Sequence, residues 1–235
     1  MADAVKCFTI HLTKKRKTAE FNYTLHNHIL EVTKDCKYLG VTFSSDLSWN
    51  SHINNISAKA NRTIGFLRRN IHSCPKEVKA AAYTTLVRPS IEYASSVWDP
   101  YTRNNIHQLE AIQRRAARFV YNNFYDRVVT SMISRLQWES LEQRRAKARA
   151  TFMYKIVNNL VDVHAEHILT PSDNRTRGNA AYRTLYTNAD VYRYSFFPRT
   201  IITWNTIPQT LRQVNTIDQF QAGLGSITLP VLSQM

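Results

Sequence analysis

Glycine is scarce in this sequence, with 5 in 235 residues. That disfavours a loop-rich or β-barrel architecture, which uses glycine at tight turns and bulges, and favours helices. The 3 cysteines, Cys7, Cys36 and Cys74, are widely spaced and odd in number. Neither a disulfide scaffold nor a C-x-x-C metal ribbon fits them. The opening M-A-D-A-V-K has no apolar signal-peptide core, so reduced thiols in an intracellular chain, nuclear or cytoplasmic, are expected. No run approaches the ~20 apolar residues of a membrane helix, and no membrane partner is expected. Catalytic signatures are missing too: there is no glycine-rich phosphate loop, no G-x-S-x-G and no H-E-x-x-H. His164 and His167 have metal-compatible spacing but no nearby ligands to complete a set, and the acidic residues are scattered. From the residues alone, no metal or cofactor is expected.

Positive charge is abundant. The chain carries 31 Lys and Arg against 17 Asp and Glu, a net charge of +14. Residues 51–125 hold 11 basic and 4 acidic residues, residues 126–160 hold 7 and 3, and residues 161–235 hold 6 and 5. The excess therefore sits on the middle of the chain. Such a balance fits a nucleic-acid partner, an anionic membrane surface, or simply a solvated basic face.

The periodicity predicts a mostly α fold preceded by a small antiparallel β-sheet. Val5–Leu12 alternates like a half-buried strand. Tyr23 to Val32 reads as a hairpin turning at His26-Asn27, because Asn tolerates positive φ. Tyr38–Phe43 reads as a third strand, with Gly40 allowing close backbone approach. A helix over about 51–71 carries Ile53, Ile56, Ala60, Ile64, Leu67 and Ile71 on one stripe. A second helix starts after Pro75, packs through Val78, Ala82 and Leu86, and is kinked or restarted by Pro89. Thr102 caps a third, with Ile106, Leu109, Ile112, Ala116 and Phe119 inward. A short helix at 130–136 leads to one over about 139–160, with Leu141, Ala148, Phe152, Ile156 and Leu160 as its stripe. Residues 164–179 read as a loop. An aromatic helix bracketed by Pro198 and Pro208 follows, then a last helix capped by Thr216.

The candidate nucleic-acid-binding residues are Lys59, Arg62, Arg68, Arg69, Arg114, Arg115, Arg118, Arg144 and Arg145, which lie mostly off the apolar stripes. They would neutralise phosphates without reading sequence. Arg114, Arg115 and Arg118 also suit the C-terminal end of a helix dipole. Tyr38, Tyr83, Tyr93 and Tyr121 are placed either to stack on bases or to rim the core. Lys14-Lys15-Arg16-Lys17 serves equally as a nuclear signal or a solvated loop.

Several stretches occur in an order that resembles one family. They are Lys37-Tyr38-Leu39-Gly40-Val41, Leu47-Ser48-Trp49, Gly65 to Asn70, Leu86 to Pro89, Ile91-Glu92-Tyr93-Ala94 and Val97-Trp98-Asp99-Pro100. Ile112 to Arg118, Ser195 to Ile201, Trp204-Asn205 and Pro208 continue the series. The pattern resembles non-LTR, LINE-type (jockey-like) retrotransposon reverse transcriptase downstream of its active site, and covers nearly the whole chain.

The resemblance implies a division into a palm remnant (1–49), a thumb-like helical region (50–125), a basic helical extension (126–162) and a loop with an aromatic C-terminal region (163–235). It implies that Lys6 is a remnant of a palm lysine motif. Tyr38, Leu39 and Gly40 would form a primer-grip-like hairpin. The helices from Ser51 would hold RNA or an RNA–DNA hybrid by its backbone. The family's polymerase uses Mg²⁺ held by aspartates that would lie upstream of Lys6, where this chain begins. No catalytic residue and no polymerase activity of this chain alone are therefore expected. A retroelement-derived adaptor binding a protein through the C-terminal aromatic region, and a decayed copy without function, are the alternatives.

Overall fold

In the computed structural model, residues 7–13, 21–124, 129–172 and 181–231 are described. Lys6 and the cluster from Lys14 to Lys17 lie outside the described residues. The chain divides into two compact units, residues 1–59 and 60–235, with the division inside a helix. The fold is mostly α with small β elements near the N-terminus.

In the first unit, β1 (Phe8–Thr9) pairs with β4 (Glu31–Val32), while β2 (Thr24–Leu25) pairs with β3 (His28–Ile29). The β1–β4 pair is parallel, so the expectation of an antiparallel sheet holds only for the hairpins. The β2–β3 turn is His26-Asn27, with φ 49 and 64°. Two positive φ values match the right-handed twist of the flanking strands.

The third pair corrects the sequence expectation. Tyr38–Phe43 is not one strand. Instead β5 (Asp35–Tyr38) folds back on β6 (Val41–Ser44), and Tyr38 pairs with Val41. Leu39 (φ 45°) and Gly40 (φ 85°) form the two-residue turn. Glycine suits this conformation; leucine is strained in it, because its Cβ crowds the backbone. The pattern of apolar residues across positions 38–43 hid the turn.

Helix α1 (Asn50–Asn70) starts against this hairpin. The Thr42 amide donates to His52 Nδ1 at 3.2 Å, and Ser51 Oγ donates to Asp35 at 3.0 Å. Burial, and next Lys37, pushes the His52 imidazole down from 6.5. A neutral ring with its proton on Nε2 follows, since Nδ1 is accepting.

In the second unit, Ala60, Ile64 and Leu67 of α1 are buried as the spacing predicts. Helix α2 (Lys76–Ala82) passes into a π turn (Tyr83–Val87) and a 3₁₀ turn (Arg88–Ile91). Pro89 explains the change: it has no N–H for the helical ladder and its ring crowds the preceding turn. The buried face is offset by one residue from the predicted one. Tyr83 and Val87 are buried, whereas Val78 and Leu86 are exposed. Tyr83 is held by its ring against Trp138 at 4.5 Å and by its hydroxyl, which donates to Gln113 Oε1.

After α3 (Ser95–Trp98), α4 (Arg103–Tyr121) buries Ile106, Leu109, Ile112, Ala116 and Phe119, the whole predicted stripe. Thr102 occupies its N-cap position, and Asn122 closes it in the left-handed conformation. Then come α5 (Val129–Arg135) and α6 (Leu141–Val157), whose N-cap Ser140 accepts from the Gln143 amide at 3.2 Å.

The C-terminal elements are α7 (Asp190–Arg193), α8 (Phe196–Thr206), α9 (Gln209–Arg212) and α10 (Ile217–Gly225). Pro198 lies inside the first turn of α8 rather than before it. The first turn has no intrahelical partners for its N–H groups, so proline there loses no bond. Ala146, Ala150, Met153 and Tyr154 of α6 form one core with Ile201, Trp204, Ile207, Phe220 and Leu224. The Gln143 amide also clasps the chain at Leu229, accepting from its N–H at 3.1 Å and donating to its carbonyl at 2.6 Å.

Candidate nucleic-acid interface

The predicted basic residues separate into an exposed group and an internal one. Arg62, Arg68 and Arg69 are exposed on α1. Arg62 and Arg69 are two turns apart, so they share one face, about 10 Å from each other along the axis. Arg68 lies over the Phe124 ring at 4.9 Å, a cation–π contact that steadies the guanidinium. Lys59 is exposed on the part of α1 that belongs to the first unit.

On α4, Arg115 is exposed and Arg114 and Arg118 are half-buried. Their spacing keeps all three on the side opposite the Leu109–Ile112–Ala116 stripe. Arg114 donates to the His107 carbonyl at 3.3 Å. Arg115 Nη1 donates to Asn61 Oδ1 of α1 at 2.8 Å. That bond joins α1 to α4. Asn61 is a brace that no pattern in the sequence singles out.

Arg144 and Arg145 do not belong to this face. Arg144 is half-buried and forked onto Glu92, through Nε to one carboxylate oxygen and through Nη2 to the other at 3.0 Å. The Glu92 hydrogen bond pushes its pKa up. Arg145 is fully buried, with its Nε donating to Asp99 at 2.7 Å. A phosphate on the surface cannot reach it.

Asp99 gathers two more arginines. Arg149 of α6 is ion-paired with it, and Arg199 of α8 reaches Oδ2 at 3.1 Å. Arg199 also donates to the carbonyls of Asp99 and Pro100 at 3.2 and 3.3 Å. Burial pushes all three guanidinium groups down, Arg199 to about 10. Glu110 and Glu142 oppose this at Arg145. The predicted α6 stripe is thus corrected: Ala148 is exposed, and Arg145, Arg149 and small alanines occupy the buried face. Nothing in local spacing marks an arginine whose counter-charge is supplied from another element.

Of the four tyrosines, Tyr83 belongs to the core and Tyr121 packs beside Val129 and Met132. Tyr93 and Tyr38 are exposed, and Tyr38 sits beside the exposed Leu39 at the β5–β6 tip. The C-terminal aromatics Trp204 and Phe220 lie inside the core, which leaves Tyr186 and Tyr192 at the surface.

Among the described residues, no group of three or more His, Cys, Asp or Glu is placed to hold a metal ion. Nor is any helix among the described residues long and apolar enough to cross a membrane. Compared with protein-family models, characterised proteins and solved structures, the chain matches none.

Proposed function

We propose that the unit beginning at Ala60 grips RNA or an RNA–DNA hybrid by its phosphate backbone. It would act as the thumb-like and downstream part of a non-LTR retrotransposon reverse transcriptase, without nucleotide incorporation by these residues alone. The observation that carries this reading is the Arg115–Asn61 hydrogen bond. It ties α4 at Arg115 to α1 at Asn61, the residue before exposed Arg62, and Arg69 follows Arg62 on the same side of α1. A guanidinium fork matches two phosphate oxygens, and an exposed face of such forks neutralises a polyanion with no demand on base identity. In the first unit, the exposed tip at Tyr38 and Leu39 is the counterpart of a primer-steadying hairpin. That role rests on the sequence resemblance and on the hairpin geometry of β5–β6.

Fluorescence anisotropy with RNA–DNA hybrids of unrelated sequence tests the proposal. Engagement of the four arginines Arg62, Arg69, Arg114 and Arg115 gives a slope of log K against log salt of about −3 to −4, equal for each sequence. Binding that is flat with salt, or confined to one sequence, contradicts it. A protein complex that persists at high salt and survives charge reversal of Arg114, Arg115 and Arg118 would favour the adaptor reading instead.

A further inference from the structure

The Asp99 cluster forms one wall of a cavity of about 390 Å³, whose lining includes Tyr101, Arg103, Arg149, Arg193, Tyr194 and Arg199. The volume falls within the range of small-ligand sites. Four of the lining side chains are arginines and none is acidic. Arg149 is nearly inaccessible, at 3% exposure, and its Nε has no hydrogen-bond partner. Arg103 and Arg193 are exposed. Tyr101 and Tyr194 stack in parallel at 4.5 Å, and the Arg193 guanidinium lies 5.7 Å from the Tyr194 ring centroid.

We propose that this cavity is a binding site for a phosphomonoester, held by Arg149 and Arg199 at its base and by Arg103 and Arg193 near solvent. The charge argues for that ligand. Arg145, Arg149 and Arg199 converge on the single carboxylate of Asp99. Glu110 and Glu142 offset Arg145, and Glu142 acts on Arg199 as well. Arg149 is pressed by Arg199. Asp99, Glu110 and Glu142 match the three inner arginines in charge, whereas no carboxylate lines the cavity beside Arg103 and Arg193, so the cavity keeps a cationic excess that favours an anion. A phosphomonoester carries about −1.5 to −2 charges and three terminal oxygens, enough to engage several forks at once. A carboxylate offers two oxygens and one charge. Arg103 stands at the start of α4, about 16 Å along the axis from Arg114, and the site does not depend on the polymerase-family reading.

The test uses the whole chain and inorganic phosphate, with ionic strength held constant by sodium chloride. Phosphate is expected to bind saturably by calorimetry and to raise the melting temperature beyond matched chloride. The double variant R103A/R193A changes exposed side chains, so its melting temperature without phosphate should match the parent's; it is expected to weaken binding by about tenfold or more, as loss of charge-assisted bonds requires. K76A, which changes an exposed lysine outside both proposed sites, is expected to leave phosphate affinity unchanged. A nucleoside 5′-monophosphate should bind where its nucleoside does not. Comparison of 5′-phosphorylated with 5′-hydroxyl oligonucleotides assigns the source: an advantage for the phosphorylated strand makes it a strand end, and equal binding makes it a small molecule. No saturable effect of phosphate over chloride, or an effect that R103A/R193A leaves intact, overturns the proposal.

Discussion

Asp99 and Arg199 are 100 positions apart in sequence and 3.1 Å apart in the fold. They belong to Val97-Trp98-Asp99-Pro100 and Ser195 to Ile201, two of the stretches that carry the family resemblance. Their meeting, with Arg145 and Arg149 of α6 on the same carboxylate, ties α3, α6 and α8 together. Glu92, from Ile91-Glu92-Tyr93-Ala94, is likewise forked by Arg144. Glu92, Asp99 and Arg199 of these stretches are thus all ion-paired across elements of the fold.

Asp99→Asn removes the counter-charge and leaves three buried guanidinium groups around a neutral amide. Breaking a buried ion pair from one side costs about 3–5 kcal/mol, so the urea midpoint should fall steeply. A loss within about 0.5 kcal/mol, the range of ordinary surface changes, would mean that the cluster is solvated and structurally idle.

Arg144→Ala provides the contrast with the exposed face. Stability should drop by about 1 kcal/mol, because the Glu92 pair is only partly buried. Affinity of the folded variant for an RNA–DNA hybrid should be unchanged. A weakened hybrid complex at equal stability would return Arg144 to the interface.

Helical periodicity makes α1 and α4 legible from the sequence alone. Every predicted inward residue of α4 is buried, because an isolated helix face needs only the 3.6-residue repeat to declare itself. Less can be read where the deciding partner is remote. Arg145 looks like a surface cation from its neighbours, and Asp99 on another element decides otherwise. Leu39 looks like a strand residue, and only the Tyr38–Val41 pairing shows it in a turn. The basic face itself is visible in sequence as a set of arginines. Its brace, Asn61, is not, because a polar residue within a helix carries no signal of what it will meet.

Leu39 occupies a left-handed conformation at a two-residue turn while its side chain is exposed. Leu39→Asn should therefore stabilise the hairpin by about 0.5–1 kcal/mol, since Asn tolerates that conformation. Slower hydrogen exchange at the Tyr38 and Val41 amides would register the gain. Faster exchange would show that the leucine side chain, rather than the turn, supports the hairpin.

His52 makes the first unit sensitive to acid. Its pKa is lowered by burial and then by Lys37, so the folded state resists protonation more than the unfolded chain. The stability it contributes is complete above its ordinary value of 6.5 and is lost as pH falls through the lowered folded value. The melting temperature should decline from pH 7.5 to 5, and His52→Asn should flatten that decline. An equal decline in both proteins would place the acid sensitivity elsewhere.

The most direct measurement is the salt dependence of RNA–DNA hybrid affinity for the native chain beside R62A/R69A/R115A. These side chains are exposed, so the variant should stay folded and lose only the small contribution of the Arg115–Asn61 bond, about 1 kcal/mol. Three phosphate contacts removed should shallow the slope of log K against log salt by about 3 and weaken binding at low salt. If the folded variant keeps the parent's slope and affinity, the α1–α4 face is a solvated surface and the gripping function is wrong.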